Sequence, residues 1–142
     1  MRFRISKEAL RVIRTDLKRT TAYLNLIEAA KKADDPESQA AALNREALSL
    51  AAVVTYCRPF TACVRKDGKK KPWIPKNLVN DLSSNSQFLH LRITMDRNRF
   101  WAHADENDPR DKSKEILPLK KSVIPEFQHL IQEIMDRLEV QP

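Results

Sequence analysis

The chain has 142 residues, with 26 Lys and Arg against 19 Asp and Glu and a formal net charge of +7. That length suits one domain with a real core, expected over 1–142, and the basic balance leans towards a polyanionic partner, nucleic acid before membrane. No apolar run approaches the roughly 18 residues of a membrane span, the start MRFRISKEAL lacks a signal-peptide core, and Cys57 and Cys63 are too few for a disulfide framework, so a soluble, reduced, cytoplasmic protein is expected.

With one glycine, Gly68, and no Asn-Gly or Gly-rich turn, the chain offers little for hairpins and reads as all-α. The first helix is expected from about Ser6, a suitable N-cap, to Lys32, with Leu10, Ile13, Leu17, Leu24 and Ile27 as its apolar stripe. The second opens at Asp35-Pro36-Glu37, where an N-cap precedes a proline at the first helical position. Its stripe is Ala40, Leu43, Ala47, Leu50, Val54 and Cys57, and Pro59 ends or kinks it.

A loop, RKDGKKKPW (65–73), follows and carries Arg65, Lys66, Lys69, Lys70 and Lys71. Pro75 starts the third helix. The run SSNS at 83–86 breaks or kinks it, because these side chains compete for backbone hydrogen bonds, and a second start at Ser84 or Asn85 leads to about Ala102. This helix has two apolar faces. Leu82, Leu89, Ile93 and Phe100 lie within about 40° of one another at the helical 100° per residue. Phe88, Leu91, Met95 and Ala102 run along the opposite side with Asn98 among them. One face is expected to pack inside the chain and the other to meet a second copy; the alternative is a helix central in its own bundle. The fourth helix spans about Ile124 to Val140, on a stripe of Ile124, Phe127, Ile131, Ile134 and Leu138. The fold expected is a four-helix antiparallel bundle, five-helix if the third is broken.

The densest chemistry is RNRFWAHAD, Arg97 to Asp105. In one ideal helix Arg97 and His103 fall on opposite flanks of the Leu82–Phe100 stripe, about 60° to either side, and Arg99 is the arginine on the histidine's side. A site using both Arg97 and His103 therefore needs an unwound helix end or a second copy of the helix. His90, seven residues before Arg97, shares its flank.

These residues resemble the HEPN domain family. Arg97-Asn98, four further residues and His103 look like its Arg-x(4–6)-His signature, and Arg-Asn-Arg-x-x-Ala-His-Ala-Asp is similar to the form common in bacterial members. His90 and the Tyr56-Cys57-Arg58-Pro59-Phe60 segment are similar to bacterial relatives as well. The resemblance implies an α-helical bundle that dimerises. It also implies a metal-independent endoribonuclease used as a toxin, in anti-phage defence or in RNA processing. A nucleotidyltransferase-like antitoxin is the partner it implies for a toxin. Other members have lost catalysis and bind RNA, nucleotides or protein partners, which is the alternative function.

The residue types suit RNA cleavage. The 2′-hydroxyl is the nucleophile, a histidine can take or give a proton near neutral pH, and Arg97 can stabilise charge on the phosphoryl oxygens. Asn98 can position the phosphate or the 2′-hydroxyl, and the products would be a 2′,3′-cyclic phosphate and a 5′-hydroxyl. Arg97, Asn98 and His103 are thus the catalytic candidates. His90, Arg99, Asp105 and Arg58 are possible supports, and Lys69, Lys70, Lys71 and Trp73 are candidates for RNA binding through charge and stacking. The bland readings are a capping His103, a structural His90 and solvated lysines. Histidines at 90, 103 and 129 lack metal-ligand spacing, so neither metal nor other cofactor is expected.

Overall fold

The computed structural model describes residues 2–30, 38–102 and 118–142, with 99–102 described by their backbone. It is mostly helical, as the scarcity of glycine suggests. Helix α1 is Lys7–Ala30. Ser6 caps it, its Oγ accepting from the Ala9 N–H at 3.1 Å. The expected stripe of Leu10, Ile13, Leu17, Leu24 and Ile27 is buried throughout, together with Asp16 and Thr20.

Helix α2 is Gln39–Cys57. It starts at Ser38, whose side chain accepts from the Ala41 N–H, later than the Asp35 start read from the sequence; 35–37 lie outside the described residues. The stripe assigned to this helix is also corrected. Ala40 and Ala47 are exposed and Leu43 is 58% exposed, whereas Ser49, Ala52, Val53 and Tyr56 are buried with Cys57. Alanines occur on every side of α2, so spacing alone does not choose a face. The buried face is the one whose polar atoms find partners. The Ser49 Oγ accepts from the Leu119 N–H at 3.0 Å, and the Tyr56 hydroxyl meets His90.

Pro59 does end α2, within a 3-10 turn at Arg58–Phe60. The chain then forms strands, against expectation. In a short antiparallel pair, β2 (Cys63–Val64) lies beside β3 (Lys70–Lys71), with Cys63 opposite Lys71 and Val64 opposite Lys70. The basic stretch expected as a loop is therefore a hairpin. Its turn uses Asp67-Gly68: Gly68 takes a φ of 78°, open to glycine, and the Asp67 carboxylate accepts from the Lys69 N–H at 3.0 Å.

A 3-10 helix at Lys76–Asp81 follows Pro75, and after a break at Leu82-Ser83 comes helix α3, Ser84–Ala102. The break expected at SSNS is real. It is held by helix α4, Val123–Asp136. The Glu133 carboxylate accepts from the Ser83 N–H at 2.6 Å, the Ser83 hydroxyl at 2.9 Å and the Ser86 hydroxyl. A carboxylate placed against unpaired N–H groups and the positive end of the dipole stabilises a helix start.

Helix α4 stops at Asp136, short of the Val140 expected. Leu138–Val140 is instead strand β4, parallel to β1 (Phe3–Ile5), with Phe3 opposite Leu138 and Ile5 opposite Val140. Phe3 and Ile5 alternate with exposed Arg4 and bury at the end of the core. Helix α1 packs on α2 and α4, and α3 packs on the same two. The shared core holds Ile13, Leu17, Val53, Tyr56, Ile93, Phe127 and Ile134.

The two apolar faces expected of α3 separate where side chains are described; those of Phe100 and Ala102 lie outside them. Leu82, Leu89 and Ile93 are buried. Phe88, Leu91 and Met95 are 62%, 55% and 43% exposed, so the described residues leave this second face open.

Candidate functional site

Arg97 sits on α3 where it passes the end of α2. It lines a small cleft of about 270 Å³ with Arg58, Asp16, Val12, Cys63 and Trp73. Each element contributes for a local reason. Pro59 turns the chain at the end of α2 and leaves the Arg58 side chain 59% exposed. The carbonyl of Pro59 then accepts from the Trp73 and Ile74 N–H groups at 2.9 and 3.0 Å, which fixes the base of the hairpin beside the cleft.

Asp16 anchors the site from α1. It is 4% exposed, and its Oδ1 lies 3.5 Å from an Arg58 guanidinium nitrogen. Burial pushes the Asp16 carboxyl above its ordinary value, and the charges of Arg58 and Arg19 pull it back. Among the described residues one Arg58 guanidinium nitrogen is ion-paired, which leaves donors for a second anion. Burial likewise pushes the Cys57 thiol up to about 12, opposed by the nearby Arg97 charge. Cys57 is thus an inert core thiol, and Arg97 stands within electrostatic reach of the end of α2. Two guanidiniums on one cleft form a planar, permanently charged donor set suited to a phosphate group.

His90 has a different setting. Its Nδ1 and the Tyr56 hydroxyl share a hydrogen bond at 2.7 Å, and its ring packs edge-on to Phe60 and Tyr56 at 4.5 and 5.8 Å. Burial lowers its pKa to about 4. At pH 7 it is neutral, so it offers no charge to a phosphate and is far from the pKa best suited to proton transfer there. Its observed contacts knit α3 to the end of α2, two turns before Arg97.

Among the other candidates, Asn98 is exposed beside Arg97, and Arg99 lies on α3. His103 and Asp105 lie outside the described residues. Lys69, Lys70 and Lys71 are all exposed on the hairpin. Trp73, a stacking candidate, is partly buried. The Arg65 guanidinium already covers its ring at 3.5 Å, and the indole packs against the core. Arg65 also donates to the Pro72 carbonyl at 2.5 Å, which clamps the hairpin. Among the described residues, no three His, Cys, Asp or Glu side chains are grouped to hold a metal ion, and no helix is long and apolar enough to cross a membrane.

No family model, no curated protein and no solved structure matches the chain. Its chemistry rests on its own residues. The sequence reading missed Asp16, although a signal was present: an acid three residues after Ile13 and beside Leu17 sits at the edge of an apolar stripe. Such an acid buries only with a partner, and Arg58 is that partner.

Proposed function

We propose that the chain is a metal-independent endoribonuclease of HEPN type. In this reading it is an antiparallel four-helix bundle, acts as a cytoplasmic homodimer, and serves as a toxin or in anti-phage defence. The observation that carries the reading is the cleft in which Arg97, the first residue of the signature, meets Arg58 beside a hairpin bearing Lys69, Lys70 and Lys71. A phosphodiester held by the two arginines has its negative charge matched before reaction begins.

The reaction follows from RNA's own chemistry. The 2′-oxygen attacks phosphorus as a base removes its proton. The bond to the 5′-oxygen breaks, and an acid protonates the leaving oxygen. The products are a 2′,3′-cyclic phosphate and a 5′-hydroxyl. A histidine's usual titration range suits both proton transfers, and His103, next in sequence after the last residue of α3, is assigned them. Arg97 spreads the charge that grows on the phosphoryl oxygens, and exposed Asn98 orients the phosphate. A dimer through α3 brings two copies of His103 to one cleft, so one can act as base and one as acid. The exposed Phe88, Leu91 and Met95 support that pairing. A nucleotidyltransferase-like antitoxin goes with the toxin reading.

The test is cleavage of a mixed RNA pool in EDTA, followed by end analysis. Wild-type protein is expected to give cyclic-phosphate ends, and His103→Ala or Arg97→Ala to slow cleavage by about 10²–10⁴-fold with the fold intact. Activity that vanishes with EDTA, or survives His103→Ala undiminished, overturns the mechanism and leaves a catalytically silent helical module that binds RNA, nucleotide or a protein.

A further inference from the structure

The outward face of α1 carries Lys7, Arg11, Arg14 and Lys18 at steps of four, three and four. At 100° per residue they share an arc of about 60°, and with about 1.5 Å of rise per residue they run along about 16 Å of helix. All four are exposed. Among the described residues none of them is ion-paired. A shallow groove of about 460 Å³ lies along the row, walled on one side by Val140 of β4.

Two physical facts make this row costly as a merely solvated face. An exposed helix face is normally stabilised by acids placed four residues from its cations, whereas Lys7–Arg11, Arg11–Arg14 and Arg14–Lys18 are like-charge neighbours that repel. The only acids between Lys7 and Lys18 are Glu8, about 60° from Arg11 at a spacing of three but not ion-paired with it, and buried Asp16, on the opposite side. Lys7 also sits in the first turn, where the helix dipole disfavours positive charge. A bound polyanion relieves both penalties at once.

We infer that this face of α1 binds the phosphate backbone of a nucleic-acid strand, without reading its bases, as a surface separate from the Arg58–Arg97 cleft. The cleft takes Val12 and Asp16 from another side of the same helix. A membrane surface fits poorly, because the apolar stripe of α1 is buried in the core and no exposed apolar face accompanies the cations. The row holds no aromatic or amide side chain, and base readout would fall to Arg11 and Arg14 alone, whereas all four cations can meet phosphates.

The inference concerns binding and does not require the endoribonuclease reading. The test uses a 2′-O-methyl RNA strand, which lacks the nucleophile, with affinity measured by fluorescence anisotropy across a salt series. For the variant K7Q/R11Q/R14Q/K18Q the slope of log affinity against log salt is expected to fall by about 3, since each phosphate contact on a single strand contributes roughly 0.7. The charge-preserving variant K7R/K18R is expected to keep the wild-type slope, and the pair variant R11Q/R14Q to lose about half of the change. Circular dichroism and a melting curve check that each variant is folded. An unchanged slope in both glutamine variants overturns the inference. So does a loss confined to co-flotation with phosphatidylserine vesicles. Absence of RNA cleavage by the wild type would sink the enzyme reading and leave this binding result standing.

Discussion

At the scale of single residues, the aromatic setting of His90 has a pH consequence. Its pKa falls from an ordinary 6.5 to about 4 because burial disfavours the charged ring. Between those values the unfolded chain holds the proton and the folded chain does not. Stability is therefore full above about pH 6.5 and is lost progressively as pH falls towards 4, by up to about 1.4 kcal/mol per pH unit. Replacing His90 with Gln keeps a hydrogen-bonding group for the Tyr56 hydroxyl and removes the titration. Urea denaturation at several pH values should then give a flatter profile between 6.5 and 4 for His90→Gln, and an identical slope would show that His90 is not the group responsible. Arg97 stands out in the sequence because its neighbours form a motif. Asp16 does not, because its role is set by Arg58, far along the chain and joined to it only by folding.

At the scale of elements, the start of α3 depends on a side chain from α4. Ser83 and Ser86 are weak helix formers, and the sequence marks the break without naming what stabilises it. Glu133 supplies the cap and is itself held by Arg137, whose guanidinium lies 3.2 Å from the Glu133 carboxylate and also 3.2 Å from Asp81. Burial opposes ionisation of Glu133, but hydrogen bonds from Ser86 and Ser83 and the charge of Arg137 outweigh it, so its carboxyl lies below the ordinary value of 4.5. This contribution is present above about pH 4.5 and is lost as pH falls through the lower folded value, a window distinct from that of His90. Glu133→Gln weakens three charge-assisted hydrogen bonds and an ion pair, and should cost about 2 kcal/mol at pH 7, read as a shift in the denaturation midpoint. Wild-type and variant curves that coincide at pH 7 would mean that the serines cap the helix unaided. Where α2 and α4 departed from expectation, the reason was likewise external. Alanine spacing left the face of α2 open until Leu119 and His90 supplied partners, and pairing with Phe3–Ile5 took Leu138–Val140 out of α4.

At the scale of the whole molecule, the open face of α3 bears on assembly. Phe88, Leu91 and Met95 form an apolar row, with the Arg92 guanidinium 5.6 Å from the Phe88 ring. A two-fold contact through this row would be self-complementary. Sedimentation at micromolar concentration is expected to give a dimer for the wild type and a monomer for Leu91→Glu/Met95→Glu. Both side chains point outward, so the double variant should keep its helical spectrum. A wild-type monomer under these conditions would remove the composite site and, with it, the expectation that two copies of His103 share one cleft.

The sequence by itself determined the helical class, the buried stripe of α1, the break before α3 and the two-faced character of that helix. Each of these is local: it depends on residue spacing, on a cap or on a breaker within one or two turns. The tertiary structure alone decided which face of α2 is buried, the hairpin at 63–71, the parallel strand pair that joins the two ends of the chain, and the meeting of Asp16, Arg58 and Arg97 at one cleft. Those features depend on partners distant in sequence. A buried polar atom takes the position where it can be satisfied, and a strand forms where another strand can complete its hydrogen bonds.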